Sequence, residues 1–257
     1  MQYLAEAQTD IGTIKTINQD SLMVKIADTD IGEVLMAVIC DGLGGLQHGE
    51  IASGNVVLGF QEWFCSTLPV LVARRNIEQE IETQWRALVN EMNTRIICYG
   101  EENSIKLGTT LTAVLFVEEH YYVIHVGDCR LYHINDNIKQ LTRDQTFIAK
   151  QIELEKMTLQ EAQRDSRRNM LLQCIGVNNN LHPDFFRGTI SEDSIYLLCT
   201  DGFRHKITED EIYEYCNPNK NVKEQMMIQN LQYLISLNKD RQETDNISAI
   251  LIRTRGR

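Results

Sequence analysis

Four acids stand where apolar runs of this chain begin or end. LMAVIC leads into Asp41-Gly42, YYVIHV into Gly127-Asp128 and SIYLLCT into Asp201-Gly202, while Asp245 opens the apolar segment NISAILI. Carboxylates gathered at strand ends repel one another and resist ionisation unless a cation neutralises them. Oxygen ligands with no competing thiolate suit Mg²⁺ or Mn²⁺. Taken singly, an Asp-Gly pair is a common turn that merely closes a strand. Four such acids in one chain point to metal chemistry.

The elements that must position these acids can be read from hydrophobic period. Segment 20 to 42 predicts a β-hairpin, with DSLMVKI and EVLMAVIC joined by the turn-prone ADTDIG. After Gly44-Gly45 the period changes, and Ile51, Val56, Val57, Phe60 and Phe64 make a helical stripe over 50 to 67. Ile77, Ile81, Leu88, Met92 and Ile96 predict a second helix over 76 to 99. From Gly108 to about Leu141, TTLTAVLFV, YYVIHV and RLYHI read as one antiparallel meander. Residues 144 to 176 read as helical and polar, with a capping box at Thr158 and Glu161. A strand over 194 to 200, helices over 208 to 216 and 221 to 238, and a strand over 244 to 253 complete the chain. Helical pairs alternating with antiparallel strand groups give a mixed α+β class, not a regularly alternating parallel fold.

Composition bounds the function. At 257 residues and 43% hydrophobic content the chain can bury a substantial core. No Ser/Pro/Gly-rich linker interrupts it, so a single domain over 1 to 257 is expected. The net charge of -11 and the lack of a Lys/Arg cluster argue against nucleic acid. Arg164, Arg167 and Arg168 come nearest to one, among Glu161 and Asp165 in what reads as a solvated helix. Of seven cysteines, none in a C-x-x-C pair, Cys40, Cys129 and Cys199 stand beside the strand-end acids and read as buried free thiols, which points to a reducing cytoplasm. The N-terminus lacks a basic and apolar leader, and no apolar run suggests a membrane span.

Eight ordered blocks carry a resemblance: TDIGTIKTINQDS (9 to 21), CDGLGGLQHGEIAS (40 to 53), LGTTLTAVLF (107 to 116), HVGDCRLYHI (125 to 134), LTRDQT (141 to 146), NMLLQCIG (169 to 176), YLLCTDGF (196 to 203) and TDNISAIL (244 to 251). In this order they resemble the metal-dependent protein serine/threonine phosphatases of the PP2C type, compact bacterial members most. The resemblance implies a four-layer αββα sandwich, two central antiparallel sheets flanked by helical pairs, with metal at one edge. It implies that Asp41 bridges two Mn²⁺ or Mg²⁺ ions, that the Gly42 carbonyl binds one, and that Asp201 and Asp245 complete the pair as catalytic ligands. Asp128, with Asp201, is implied to hold a third, weaker ion, and Asp20 to support the site from close by. Segment 144 to 170 resembles the variable flap beside the family's active site, so substrate choice is expected to lie there. The chemistry is self-consistent, because two ions can activate a water and orient a phosphate for in-line attack without a phosphoenzyme. Nothing resembles the C-x5-R loop of cysteine phosphatases, and buried thiols beside acids are poor nucleophiles.

Departures from the family pattern are informative. Lys15 stands where the family usually carries a phosphate-binding arginine, so a point charge replaces a planar fork. Leu43 stands where several eukaryotic members have a histidine proposed as general acid, so a water or another group must protonate the leaving alkoxide. His48 and His205 read as surface or loop histidines, His125 as a packed core side chain, and Gln145 replaces a histidine frequent in its block. The expectation is a cytoplasmic, monomeric enzyme that hydrolyses phosphoserine and phosphothreonine in phosphorylated proteins, reversing a Ser/Thr kinase. The alternatives are a phosphatase of anti-sigma-factor antagonist proteins and a non-catalytic regulatory module of the same fold.

Overall fold

The unbroken apolar runs form strands because both of their faces are buried. In the strand Gly32–Asp41, Val34, Met36, Val38 and Cys40 pack toward helices, while Leu35, Ala37 and Ile39 pack toward a second sheet. The computed structural model describes residues 1–43, 48–75 and 77–256. The Gly44-Gly45 pair ahead of the first predicted helix lies outside them.

All strand pairings are antiparallel. One sheet runs in the order β1 (Gln2–Asp10), β10 (Ile247–Arg255), β9 (Ile195–Cys199), β6 (Arg130–Ile134), β7 (Ile138–Gln140). The other runs β2 (Asp20–Thr29), β3 (Gly32–Asp41), β4 (Leu111–Val117), β5 (His120–Val126), β8 (Asp184–Thr189). Helices α1 (Gly49–Ser66), α2 (Leu68–Arg74) and α3 (Ile77–Asn103) cover the second sheet, with Trp85 wholly buried and Phe60 and Trp63 edge-on to its ring at 5.5 and 5.6 Å. Helices α6 (Asp201–Arg204), α7 (Glu209–Cys216) and α8 (Glu224–Asp240) cover the first through Phe203, Ile212, Met227, Leu231 and Leu234. Between the sheets lies a third apolar layer that includes Phe116, Val123, Tyr196, Leu198 and Ile250. Helix, sheet, sheet and helix are thus stacked over three cores, the α+β sandwich expected from the resemblance.

Four expectations need correction. The meander over 108 to 141 is split: β4 and β5 stay in one sheet, and the chain crosses at 127–129 so that β6 and β7 join the other. Segment 144 to 176 is not one helix but two short ones, α4 (Phe147–Glu153) and α5 (Leu159–Arg164), followed by turns; the predicted capping box heads α5. Arg167 and Arg168 therefore lie in a turn, where Arg167 pairs with Asp165 at 2.7 Å and lies 4.2 Å over the Phe147 ring. Finally, Gly49–Arg74 is long and apolar enough, with a mean hydropathy of 1.5, to cross a bilayer, yet half of it is buried within this fold, packed on β2 and β3 as a core helix pair.

Candidate active site

The register of the β2–β3 hairpin sets Asp20 directly opposite Asp41, so two carboxylates face each other across a ladder where like charges are unfavourable. The Asp41 main chain is clamped on its other side. Its N–H donates to Thr110 Oγ1 at 2.9 Å, and its carbonyl accepts from Thr109 Oγ1 and the Thr110 N–H, both at 2.9 Å. Gly42 serves close approach here, since a Cβ would lie 2.5 Å from the Gly49 carbonyl. Asp128 is delivered by the crossover between sheets. Gln145 holds that turn, accepting from the Gly127 N–H at 3.0 Å and donating its own N–H to the Gly127 carbonyl at 2.7 Å.

Asp201 opens α6 just beyond β9, and Asp245 lies in the loop before β10, the neighbour of β9. A Cβ on Gly202 would overlap the Asn246 carbonyl, so the glycine lets these two acid-bearing segments touch. Asn246 ties in the loop that carries Lys15, accepting from the Gln19 N–H at 2.9 Å and donating to the carbonyls of Ile11 and Ile17 at 2.9 and 3.2 Å. Glu243, buried, accepts from the N–H groups of Thr244 and Asp245 at 2.7 and 3.0 Å.

Asp41, Asp128, Asp201, Asp245 and Lys15 all line one cavity of about 520 Å³. Burial, followed by the charges of Asp20, Asp201, Asp128 and Asp245, drives the Asp41 carboxyl well above its ordinary range. Burial also pushes Asp20 up to about 7 against hydrogen bonds from Ser248 and Thr200, with Asp201 and Asp245 adding to the rise. Asp128 rises to about 7 through burial and Asp201, opposed by Arg204 and Arg130.

The residues fit a divalent cation. The donors are carboxylates, they repel one another, and Asp201 Oδ1 is buried with no hydrogen-bond partner. Among the described residues no three side chains close on one point as a finished ligand set does. Like charges stand apart around a cavity until a cation draws them in, and the orphaned, buried Asp201 Oδ1, beside the upward push on Asp41, Asp20 and Asp128, weighs more.

Lys15 stands at the cavity, its Nζ 3.0 Å from Asp245 Oδ1, an ion pair not foreseen from sequence. His205 is more than a loop histidine: its Nε2 lies 3.5 Å from Asp201 Oδ2 and its Nδ1 3.8 Å from Glu243 Oε2. His48 is exposed and pairs with Glu50, and His125 is buried against Thr112 as expected. Leu43 lines the cavity. All seven cysteines are free, and burial beside Asp20, Asp41 and Asp128 drives the Cys40 and Cys129 thiols well up. Sequence reasoning missed Arg204, whose Nη2 donates to the Asp128 carbonyl at 3.1 Å and stands 3.6 Å from the carboxylates of both Asp128 and Asp144. It also missed Asn169 and Cys174 on the cavity wall, and Glu243 and Asn246 behind it. Of these, Asn246 sits in the TDN block, and its place beside Asp245 was the available signal.

The geometry agrees with comparisons to known proteins. Residues 13–249 match the model of the protein phosphatase 2C family. The chain is 30% identical over 201 residues to the serine/threonine phosphatase stp of Listeria welshimeri, covering 77% of each. It superposes on the crystal structure of serine/threonine phosphatase Stp1 from Staphylococcus aureus with a TM-score of 0.81 and 27% identity, over 100% of this chain and 96% of that one. It shares the fold of the PstP catalytic domain solved with two manganese ions, at TM-score 0.80 and 23% identity over 99% of each chain. By family match, by relatives over most of its length and by a sandwich that sets its acids around one cavity, this chain belongs to the protein phosphatase 2C family and removes phosphate from serine and threonine in proteins.

Proposed function

We propose that the cavity around Asp41 is the catalytic site, with Asp41, Asp201, Asp245 and the Gly42 carbonyl as ligands of two divalent ions, Mn²⁺ or Mg²⁺. The observation that carries this is the meeting of four acids from distant segments, with Lys15, in one cavity. Ions bound there would neutralise the phosphoryl oxygens and acidify the attacking water. Asp20, held by a hydrogen bond from Thr200 Oγ1 at 3.2 Å, supports the site from the strand beside Asp41. The Thr109 and Thr110 clamp fixes the Asp41 backbone, and Arg204 fixes that of Asp128. Asp128 and Asp201 hold a third, weaker ion in this reading. Support for two ions comes from the manganese pair in PstP and from the oxygen-only donor set.

Calorimetric titration with Mn²⁺ beside phosphopeptide hydrolysis tests the assignment. Asp128→Ala is expected to keep two tight ions, lose the weaker one and require more metal for half-maximal rate. Loss of all binding would make Asp128 a primary ligand and overturn the division of labour.

Lys15 receives the substrate phosphate in this reading, its ammonium moving between Asp245 and the phosphoryl oxygens. Lys15→Ala is expected to raise KM for phosphopeptides about tenfold, near 1.4 kcal/mol, with a smaller change in kcat. Lys15→Arg should keep the activity. Unchanged kinetics in the alanine variant would leave Lys15 as a structural partner of Asp245 only.

The substrates are phosphoproteins of a Ser/Thr kinase, and the enzyme acts as a single-domain cytoplasmic monomer without nucleic acid or membrane as partner. The net charge of -11 and seven free thiols support that setting. Sedimentation as a dimer, or fractionation with membranes or nucleic acid, would refute it. Neither the antagonist-protein phosphatase nor the non-catalytic module is favoured, since the named relatives are serine/threonine phosphatases and the acids are intact.

A further inference from the structure

A second cavity of about 500 Å³ opens beside the first and shares Asp128, Asn169 and Asp245 with it. Part of its wall is aliphatic, built from Ile148 and Ile152 of α4 and Ala162 of α5. Four carboxylates reach this space, and each has a polar partner, in this wall or in the neighbouring cavity. Arg130 grips Asp144 with two hydrogen bonds of 2.9 and 2.8 Å, and Arg204 lies 3.6 Å from Asp128. Lys15 pairs with Asp245, and Glu243 accepts two main-chain N–H groups through Oε1, its buried Oε2 having no hydrogen-bond partner. Arg168 and Lys206 line the same cavity with exposed side chains, and among the described residues neither pairs with a carboxylate. In a chain of net charge -11, Arg168 and Lys206 bring this wall to four cations against four carboxylates, so the prevailing negative charge is locally offset.

We propose that this cavity receives an acidic side chain flanking the phosphorylated residue, so that the enzyme favours phosphosites with Asp or Glu within a few residues. The inference rests on the reading that phosphate is hydrolysed in the cavity around Asp41. Adjacency through three shared wall residues places a flanking side chain within reach while the phosphate occupies the neighbouring cavity. Methylenes of the flanking residue lie on the Ile148 and Ile152 wall, and its carboxylate meets the Arg168 guanidinium and the Lys206 ammonium.

Three phosphoserine peptides that differ only in a flanking Glu, Gln or Lys test this by kcat/KM. Glu should exceed Gln and Gln exceed Lys, with roughly tenfold between the extremes for a charge-assisted contact. The difference should appear in KM and shrink with added salt. Replacing both cations, Arg168→Gln with Lys206→Gln, should flatten the order, and Arg168→Glu with Lys206→Glu should invert it, with circular dichroism checking the fold of each variant. Equal values for the three peptides in the wild type, or an unchanged order in the glutamine variant, overturns the inference. If Asp41→Asn hydrolyses the Glu peptide as fast as the wild type, the failure instead lies in the reading of the catalytic cavity, and the inference falls with it.

Discussion

Asp41→Asn is expected to lose turnover by on the order of a thousandfold or more, the scale on which metal activation of water contributes, while making the metal-free protein more stable at alkaline pH, where the Asp41 carboxyl ionises. The two effects share one cause. Asp41 faces Asp20 across the hairpin and feels Asp201, Asp128 and Asp245 as well, so its charge is the one most opposed by its neighbours. Asparagine keeps the shape and cannot ionise, so it relieves repulsion in metal-free protein wherever Asp41 would lose its proton, and it deletes the proposed bridging ligand when metal is present. Initial rates at saturating Mn²⁺ and melting in EDTA read the two sides separately. A variant that retains more than about a tenth of the wild-type rate would remove Asp41 from the centre of the mechanism. A lower melting temperature in EDTA would show that its carboxylate is satisfied without metal.

The second large effect is an unusual pH dependence of stability. Asp20 and Asp128 are raised to about 7 and Asp41 well above its ordinary range, each first by burial and then by neighbouring acids, Asp201 among them in every case. An acid raised on folding binds its proton more tightly in the native state than in the unfolded chain, where its pKa is about 4. Native protein therefore holds more protons between about pH 4 and pH 7, and stability falls as pH rises through that window. Carboxylates lowered by their partners, such as Asp144 beside Arg130 and Glu211 beside Arg241, act oppositely and take stability away only in stronger acid. In EDTA, the melting temperature should thus be several degrees higher near pH 5 than at pH 8. Mn²⁺ at about 100 times its dissociation constant adds roughly 2.7 kcal/mol at pH 8, about 5 to 10 °C for a domain of this size. A flat or rising profile from pH 5 to 8 in EDTA, or no shift with metal, would contradict a cluster of electrostatically frustrated carboxylates.

The apolar runs LMAVIC and SIYLLCT, the stripes on α1 and α3, and the capping box at Thr158 are local signals, and the structure contains each of them. These were legible because period and capping depend on residues within a turn or two of one another. The edge strands β1 and β8 were not read as strands. Both lie at sheet margins, half-buried, so no unbroken apolar run announces them. The split of residues 108 to 141 between two sheets was equally silent. It depends on Gln145 holding Gly127 and on β9 pairing with β6, contacts made by residues far along the chain.

The same division holds at the site. Sequence by itself determined which acids could bind metal and, through ordered motifs over most of its length, which family the chain belongs to. Only the tertiary structure decided that Asp20 opposes Asp41, that Lys15 rests on Asp245, that His205 reaches Asp201 and that Arg204 holds Asp128. The physical reason is that a side chain's type is written at its own position. Its charge environment depends on burial and on partners as distant in sequence as Gln19 and Asn246, which meet only when the two sheets close.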